Sequence, residues 1–291
     1  MWGAFSSLPT ARYGYPDEMV YVLWSLTMLI PAFFALRGVT FDRRSVATRY
    51  GLVVGLTGAG GQLLLFQALT IGPAYLIFPV IALSPAITVL MAVVLLRERI
   101  PVLAVTGVVL ALLAIIAFSI STGDEEASAG PWLLLAIGVT VAWGVQAYYM
   151  RKAATLGVND GTTFGWMTIS GLLLVPVALV MMGGLPSGAP WQAPTLALGT
   201  QLLNAVGALF LVMALSRGKA SLVAPTTNAL APVLTILLSL ALFQVLPSGF
   251  QTLGIVLALV GSTLMVYTDE KRGEAAATPA DRTTGVGAGR A

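Results

Sequence analysis

SLVAPTTNALAP, residues 221–232, places Pro225, Pro232 and the polar trio Thr226, Thr227 and Asn228 inside a run that is otherwise apolar from 220 to 242. AYLIFPVIALSP, residues 74–85, places Pro79 and Pro85 almost identically inside another apolar run. A proline within a helix has no amide hydrogen to donate and pushes away the carbonyl four residues earlier, so the helix kinks or breaks. Pro225 frees the carbonyl of Ser221, Pro232 that of Asn228, Pro79 that of Tyr75 and Pro85 that of Ile81. In lipid a freed carbonyl must find a partner. Either it faces a hydrated cavity, where a solute's ammonium or hydroxyl group reaches it, or neighbouring Ser, Thr and Asn side chains satisfy the kinked backbone. One broken helix favours the second explanation; two pairs of prolines in similar settings favour the first.

Composition sets the surroundings of these segments. Hydrophobic residues make up 57% of the 291 residues and charged residues 9%, whereas a quarter of a soluble domain is usually charged, so the chain reads as a membrane protein. It has no cysteine and no histidine, which excludes disulfides, thiolate metal sites, Ser-His-Asp triads and the HExxH zinc motif. No catalytic, cofactor or metal site is expected, and the chain is not expected to be an enzyme. The net charge of +3 arises from short basic clusters between apolar runs, a pattern of membrane topology and not of a nucleic-acid face.

A helix crossing the hydrocarbon layer needs about 17 to 25 mostly apolar residues. Nine runs qualify: 19–36, 50–69, 74–96, 101–120, 132–150, 161–182, 194–215, 220–242 and 250–267. Their short connections imply one helical bundle without a soluble domain. Counting loops alternately from the C-terminus, one side holds Arg37, Arg43, Arg44, Arg49, Arg97, Arg99, Arg151, Lys152, Arg217, Lys219, Lys271, Arg272, Arg282 and Arg290, and the other holds Arg12 alone. The positive-inside rule then puts the C-terminus in the cytoplasm and GDEEAS, residues 123–128, outside. Residues 268–291, rich in Ala, Thr, Gly and charge, read as a disordered tail.

The chain repeats itself. Trp2-Gly3 matches Trp143-Gly144, and ALTIGPAYLIFPVIALSPAITVL (68–90) aligns with ALSRGKASLVAPTTNALAPVLTIL (214–237) given one extra residue between the second pair of prolines. Pro101 and Gly107 match Pro247 and Gly254 within one residue. Two copies of five helices lie in opposite orientations because five is odd, and inverted repeats around a midplane site are a transporter architecture. In the second copy the Trp-Gly pair sits mid-helix, but only Met1 precedes it in the first, so MWGAFSSLP reads as the second half of a helix; a short interfacial segment is the alternative.

These features resemble the ten-helix EamA branch of the drug/metabolite transporter (DMT) superfamily: Ala-Leu, a Gly or Ala a few residues on, a helix broken by two prolines, Leu-x-Glu, and a Gly-rich last helix. LLRERIP (95–101) carries the family's glutamate as Glu98; ALFQVLP (241–247) has Gln244 in its place. The resemblance implies an all-α membrane protein, a ten-helix bundle of two inverted five-helix repeats. The repeats are 1–122 (helices 1–5, helix 1 partial) and 131–267 (helices 6–10), followed by the tail 268–291.

Polar residues expected beside the broken helices form the candidate substrate cavity. Gln62 shares a face with Gly55 and Gly58, and Asn204 stands three before Gly207 in the matching helix. Trp143, Gln146 and Tyr149 follow three-residue steps, matched in the first copy by Trp2 and Ser6. With Pro79, Ser84, Pro85, Pro225, Thr226, Asn228 and Pro232 they complete the set. Taken singly, each polar residue also reads as helix-packing contact and each Trp as an interfacial anchor; Trp24, Trp166 and the stripe Gly51, Gly55, Gly58 are assigned to packing.

All 12 acidic residues fall in loops, at helix ends or in the tail, and no Lys or Arg lies inside a span. Intramembrane charges mark proton relays and charged-ligand sites, so an uncharged, aromatic and hydroxyl-rich site is expected. It suits a small neutral or zwitterionic solute moved by alternating access, as in an amino-acid or metabolite exporter of the cell inner membrane. The alternatives are a sugar or nucleoside uptake carrier, faintly suggested by the WG-x5-P start (2–9), and, from another class, a channel or non-transporting scaffold. The expected partners are that solute and the lipid bilayer, with no nucleic acid and with the chain a monomer or weak homodimer.

Overall fold

Glycine and proline set the first turn of the structure. Gly14, at φ +61°, closes helix α1 (Leu8–Tyr13), and Pro16, whose ring holds φ near −60°, starts α2 (Asp17–Thr27). The computed structural model describes residues 5–96, 102–120, 130–184, 188–216, 237–238, 240–241, 244 and 247–277, and among these it contains helices and no strand. After α2 come α3 (Leu29–Leu36), α4 (Ser45–Ile71), α5 (Ala74–Ile81), α6 (Ser84–Leu96), α7 (Val102–Ile120), α8 (Pro131–Thr155), α9 (Asp160–Leu173), α10 (Val175–Met182), α11 (Gln192–Ser216) and α12 (Gly249–Ala277). The predicted run 220–242 falls almost wholly outside the described residues.

Five of the described segments are long and apolar enough to cross a membrane: Asp17–Leu36, Ser45–Ile71, Pro131–Thr155, Asp160–Met182 and Gln192–Ala214. Large apolar side chains such as Phe33, Leu134, Val180, Leu203 and Phe210 are exposed on their outer faces, the surface expected of a bundle solvated by lipid. Inside, Tyr21, Phe66, Leu76, Ile77, Trp132 and Phe164 join one core.

Helix pairing follows the two-fold relation that the sequence implies. The repeat exchanges α4 with α11, α1 with α8, and α2–α3 with α9–α10. The structure packs α4 against α8 and α9, and packs α11 against α1 and α2. The two pairs that map onto themselves are also present: α2–α3 against α9–α10, and α7 against α12. The last is tight, since a methyl group on Gly261 would lie 2.8 Å from the carbonyl oxygen of Gly107.

Two features depart from the sequence reading. The runs 19–36 and 161–182 are each interrupted once, at Met28 and Leu174, because Pro31 and Pro176 remove amide donors just downstream. These matched breaks add a second proline-marked pair of helices. The final helix passes Tyr267 and continues to Ala277, so the first part of the expected disordered tail is helical. Glu, Lys, Arg and Ala there are good helix formers.

The two basic loops expected on one side of the membrane meet at one end of the bundle. Arg44 Nη2 donates to the carbonyl of Gly157 at 3.1 Å, Asn159 Nδ2 to the carbonyl of Thr40 at 3.2 Å, and the Asp42 amide to Thr162 Oγ1 at 2.8 Å. Arg44 and Asp42 also form an ion pair at 2.6 Å. Arg44 holds the Asp42 carboxyl below the usual carboxylate range.

Candidate functional site

The glycine stripe of α4 brings several predicted site residues together. A methyl group on Gly58 would lie 2.2 Å from Gln146 Nε2, and one on Gly61 would lie 2.6 Å from the Trp143 ring. Trp143 Nε1 donates to the carbonyl of Gly58 at 3.4 Å. The absence of side chains at these positions is what admits Trp143 and Gln146 to the α4–α8 seam. Gln62, between the two glycines and the next turn, is 4% exposed, and its Nε2 has no hydrogen-bond partner. On the same stripe Gly51 and Gly55 receive Trp166 and Ser170 of α9, at 2.1 and 2.2 Å from the added methyl positions. Trp166 and the stripe therefore pack as expected, and Trp24 is buried against Tyr21, with ring centroids 5.2 Å apart.

The proline-broken helix α5–α6 abuts α8. It divides at Ala82 and Leu83, with Pro79 buried inside α5 and Pro85 in the first turn of α6, where no amide donor is needed. Thr140 Oγ1 of α8 shares its one hydrogen between the carbonyl of Val80, at 2.9 Å, and that of Ala136 in its own helix, at 2.8 Å, while Val80 also accepts from the Leu83 amide at 3.1 Å. Thr88 Oγ1 donates to the carbonyl of Gly144 at 3.0 Å. A methyl group on Gly144 would lie 2.6 Å from the Ser84 carbonyl oxygen. Ser84 and Pro85 are thus held beside the Trp-Gly pair that the repeat singled out.

Other predicted residues lie away from Gly58, Trp143 and the α5–α6 break. Tyr149 stacks with Tyr50 at 5.7 Å and Tyr148 at 5.3 Å, and Lys152 Nζ lies 5.8 Å from the Tyr50 ring centroid, a cation–π cluster near the basic end. Asn204 is buried on α11 and donates from Nδ2 to Gln201 Oε1 at 3.3 Å. Ser6 is fully buried. Trp2, Pro225, Thr226, Asn228 and Pro232 lie outside the described residues.

Sequence reasoning missed Gln201, which is fully buried with Nε2 unpartnered, and Thr140. The signal was present: Gln201 stands three before Asn204 on the same helix face. It also passed over Asp17, at the end of the bundle opposite the basic loops and only 3% exposed. Thr10 Oγ1 donates to Asp17 Oδ1 at 2.6 Å, Thr70 Oγ1 donates to Asp17 Oδ2, and Gln67 Nε2 donates to Glu18 Oε1 at 2.9 Å. Beside this cluster lies a pocket of about 290 Å³ lined by Ser7, Thr10, Leu69, Thr70, Pro73 and Tyr75 among others.

The profile of the EamA-like transporter family matches the chain twice, over residues 2–120 and 130–267. The chain belongs to that family. It is accordingly a multi-pass membrane transporter of small molecules, built from two EamA-like units. An uncharacterized protein of Methanocaldococcus jannaschii is 35% identical over 135 residues, which make up 46% of this chain but 94% of that protein; that relative has the length of one unit. A solved crystal structure, 24% identical, superposes with a TM-score of 0.60 over 92% of this chain and 95% of its own. The likeness is one of fold.

Proposed function

We propose that this transporter carries small neutral or zwitterionic solutes by alternating access, as an amino-acid or metabolite exporter of the cell inner membrane with its C-terminus in the cytoplasm. The observation that carries the reading is the pair of buried amides, Gln62 on α4 and Gln201 on α11, each with an unpartnered Nε2 donor. The repeat relates these two helices, so the donors stand on matched elements. An unpaired buried donor costs about 1 to 3 kcal/mol, a cost that a solute carboxylate, carbonyl or hydroxyl offsets on binding. Trp143 and Gln146 add an aromatic face and a further amide, without formal charge. The broken helices α2–α3, α5–α6 and α9–α10 supply the places where segments pivot.

A thermal-stability screen of the purified transporter against neutral amino acids, sugars and nucleosides tests the solute class, because a ligand of the folded state raises its stability. Neutral amino acids are expected to stabilise the wild type, and Gln62→Leu to weaken that binding by about 1 to 3 kcal/mol. Stabilisation by sugars or nucleosides alone overturns the class. Proteoliposome flux is expected to saturate with solute; a linear dependence would indicate a channel. For topology, a cysteine placed by Ser128→Cys should be labelled from outside intact cells and one placed by Thr278→Cys should not.

A further inference from the structure

The two loops that meet at the basic end carry more positive charge than their own acidic residues offset. Residues 37–49 hold Arg37, Arg43, Arg44 and Arg49 against Asp42, and residues 151–160 hold Arg151 and Lys152 against Asp160. The one ion pair among the described residues joins Asp42 to Arg44. Arg43 and Arg49 are exposed, and neither has a hydrogen bond or ion pair to a described residue. Hydrogen bonds from Arg44, Asn159 and the Asp42 amide tie the loops to each other, so these charges stand on an ordered surface. Lys152 Nζ is set over two ring faces, 5.8 Å from the Tyr50 centroid and 5.9 Å from that of Tyr148.

Depth along α4 supplies an independent observation. Its 27 residues rise about 1.5 Å each, to about 40 Å, whereas the hydrocarbon core of a bilayer is about 30 Å thick. The ends of α4 therefore stand in the headgroup layers, and Arg49, in its second turn, lies where headgroups meet hydrocarbon. Steps of three and four residues put Arg49 on one face with Val46, Leu52 and Leu56, and all four are exposed. Its side chain thus belongs to the stripe that the bundle turns to lipid. Arg37 repeats the arrangement at the end of α3, with its guanidinium 5.9 Å from the ring centroid of the exposed Phe33.

We propose that this end of the bundle binds an acidic glycerophospholipid, with its headgroup at Arg43 and Arg49 and an acyl chain along Val46, Leu52 and Leu56. Guanidinium groups suit phosphate oxygens in geometry and charge, and basic residues flanking a membrane span are attracted to anionic headgroups. A zwitterionic phospholipid brings its own cation into the same layer and leaves the excess charge in place, whereas an acidic one offsets it. Free phosphate has no chain to lay on the apolar stripe. The site does not depend on which solute the interior carries, nor on which side of the membrane this end faces.

The test reads the thermal stability of the purified full-length protein in an uncharged detergent during titration with dioleoyl phosphatidylglycerol. Dioleoyl phosphatidylcholine and inorganic phosphate, at matched ionic strength, are the comparators. Saturable stabilisation by phosphatidylglycerol beyond that of either comparator is expected, because a ligand of the folded state raises its stability. Arg49→Gln and Arg43→Gln should each weaken that binding about 5-fold, and the double variant about 20- to 30-fold. Arg12→Gln, exposed near the other end of the bundle, should leave it unchanged. Equal stabilisation by phosphatidylcholine or by inorganic phosphate overturns the proposal, as does an equal loss in Arg12→Gln. An unchanged phosphatidylglycerol response in the double variant also refutes it. If the double variant does not elute as a monodisperse species, the single variants decide, and a wild-type response in both refutes the site.

Discussion

Asp42 and Asp17 sit at opposite ends of the same bundle and are held in opposite ways. Asp42 lies in an exposed loop, where Arg44 grips its carboxylate from two residues away. Asp17 begins a membrane-spanning segment, is buried, and has hydroxyl donors in place of a cation. At that end the Arg44 guanidinium stays open to water and pairs with a carboxylate two residues away in the same loop, so their pairing adds little to the fold. At the buried end the protein has removed a charge from water without neutralising it. The contrast separates a carboxylate that tethers a loop from one that ties α1 and α4 to the start of α2.

The α4 stripe and its neighbour on the same helix offer the largest effect with which to test how this bundle is held. Gly55→Leu places atoms where Ser170 Oγ lies 2.2 Å and the Trp166 carbonyl oxygen 2.5 Å from the first added carbon. A cost of about 3 kcal/mol or more is expected, seen as loss of monodisperse protein. Gly60→Ala, with nothing within 4 Å of the added methyl group, should be neutral or slightly stabilising, by less than about 1 kcal/mol. Equal tolerance of the two would mean that α4 does not approach α9 through the stripe.

Next in size is the hydroxyl at the α5–α6 break. Thr140→Val keeps the shape but removes the hydroxyl shared between Val80 and Ala136, and should lower unfolding stability by about 0.5 to 1.5 kcal/mol. No change would show that the hydroxyl is spent on Ala136 in its own helix and that the Leu83 amide alone serves Val80.

The two carboxylates themselves give smaller effects. Asp17→Asn removes a buried charge that has hydroxyl donors but no cation, and should leave the thermal midpoint at neutral pH no lower than in the wild type. A large fall would make that carboxylate a structural acceptor. The smallest effect is expected of Asp42→Asn, with no measurable shift in the midpoint at neutral pH. The folded pKa of Asp42 is depressed, so whatever stability the pair adds is present above the ordinary carboxylate pKa of about 3.9. It is lost as the pH falls through the lower folded value. Stability that instead rose on acidification through this range would reverse the sign assigned to Arg44.

Composition and pattern by themselves determined that this chain is a helical membrane bundle of two inverted repeats. Apolar runs of membrane length and their basic flanks are local properties, and Pro79, Pro85, Trp143 and Gly144 recur with counterparts at a readable spacing. The packing role of Gly51, Gly55 and Gly58 was legible for the same reason, since small residues on one helix face mark close approach. Only tertiary structure decided what each polar group meets. Thr140 reads as an ordinary helix residue until α8 brings it to Val80. Gln201 gains meaning from complete burial. Asp17, at a helix end in the sequence, becomes a buried charge because α1 and α4 close over it with Thr10 and Thr70. Burial and hydrogen-bond partnership depend on residues distant in the chain, and no periodicity along one helix encodes them.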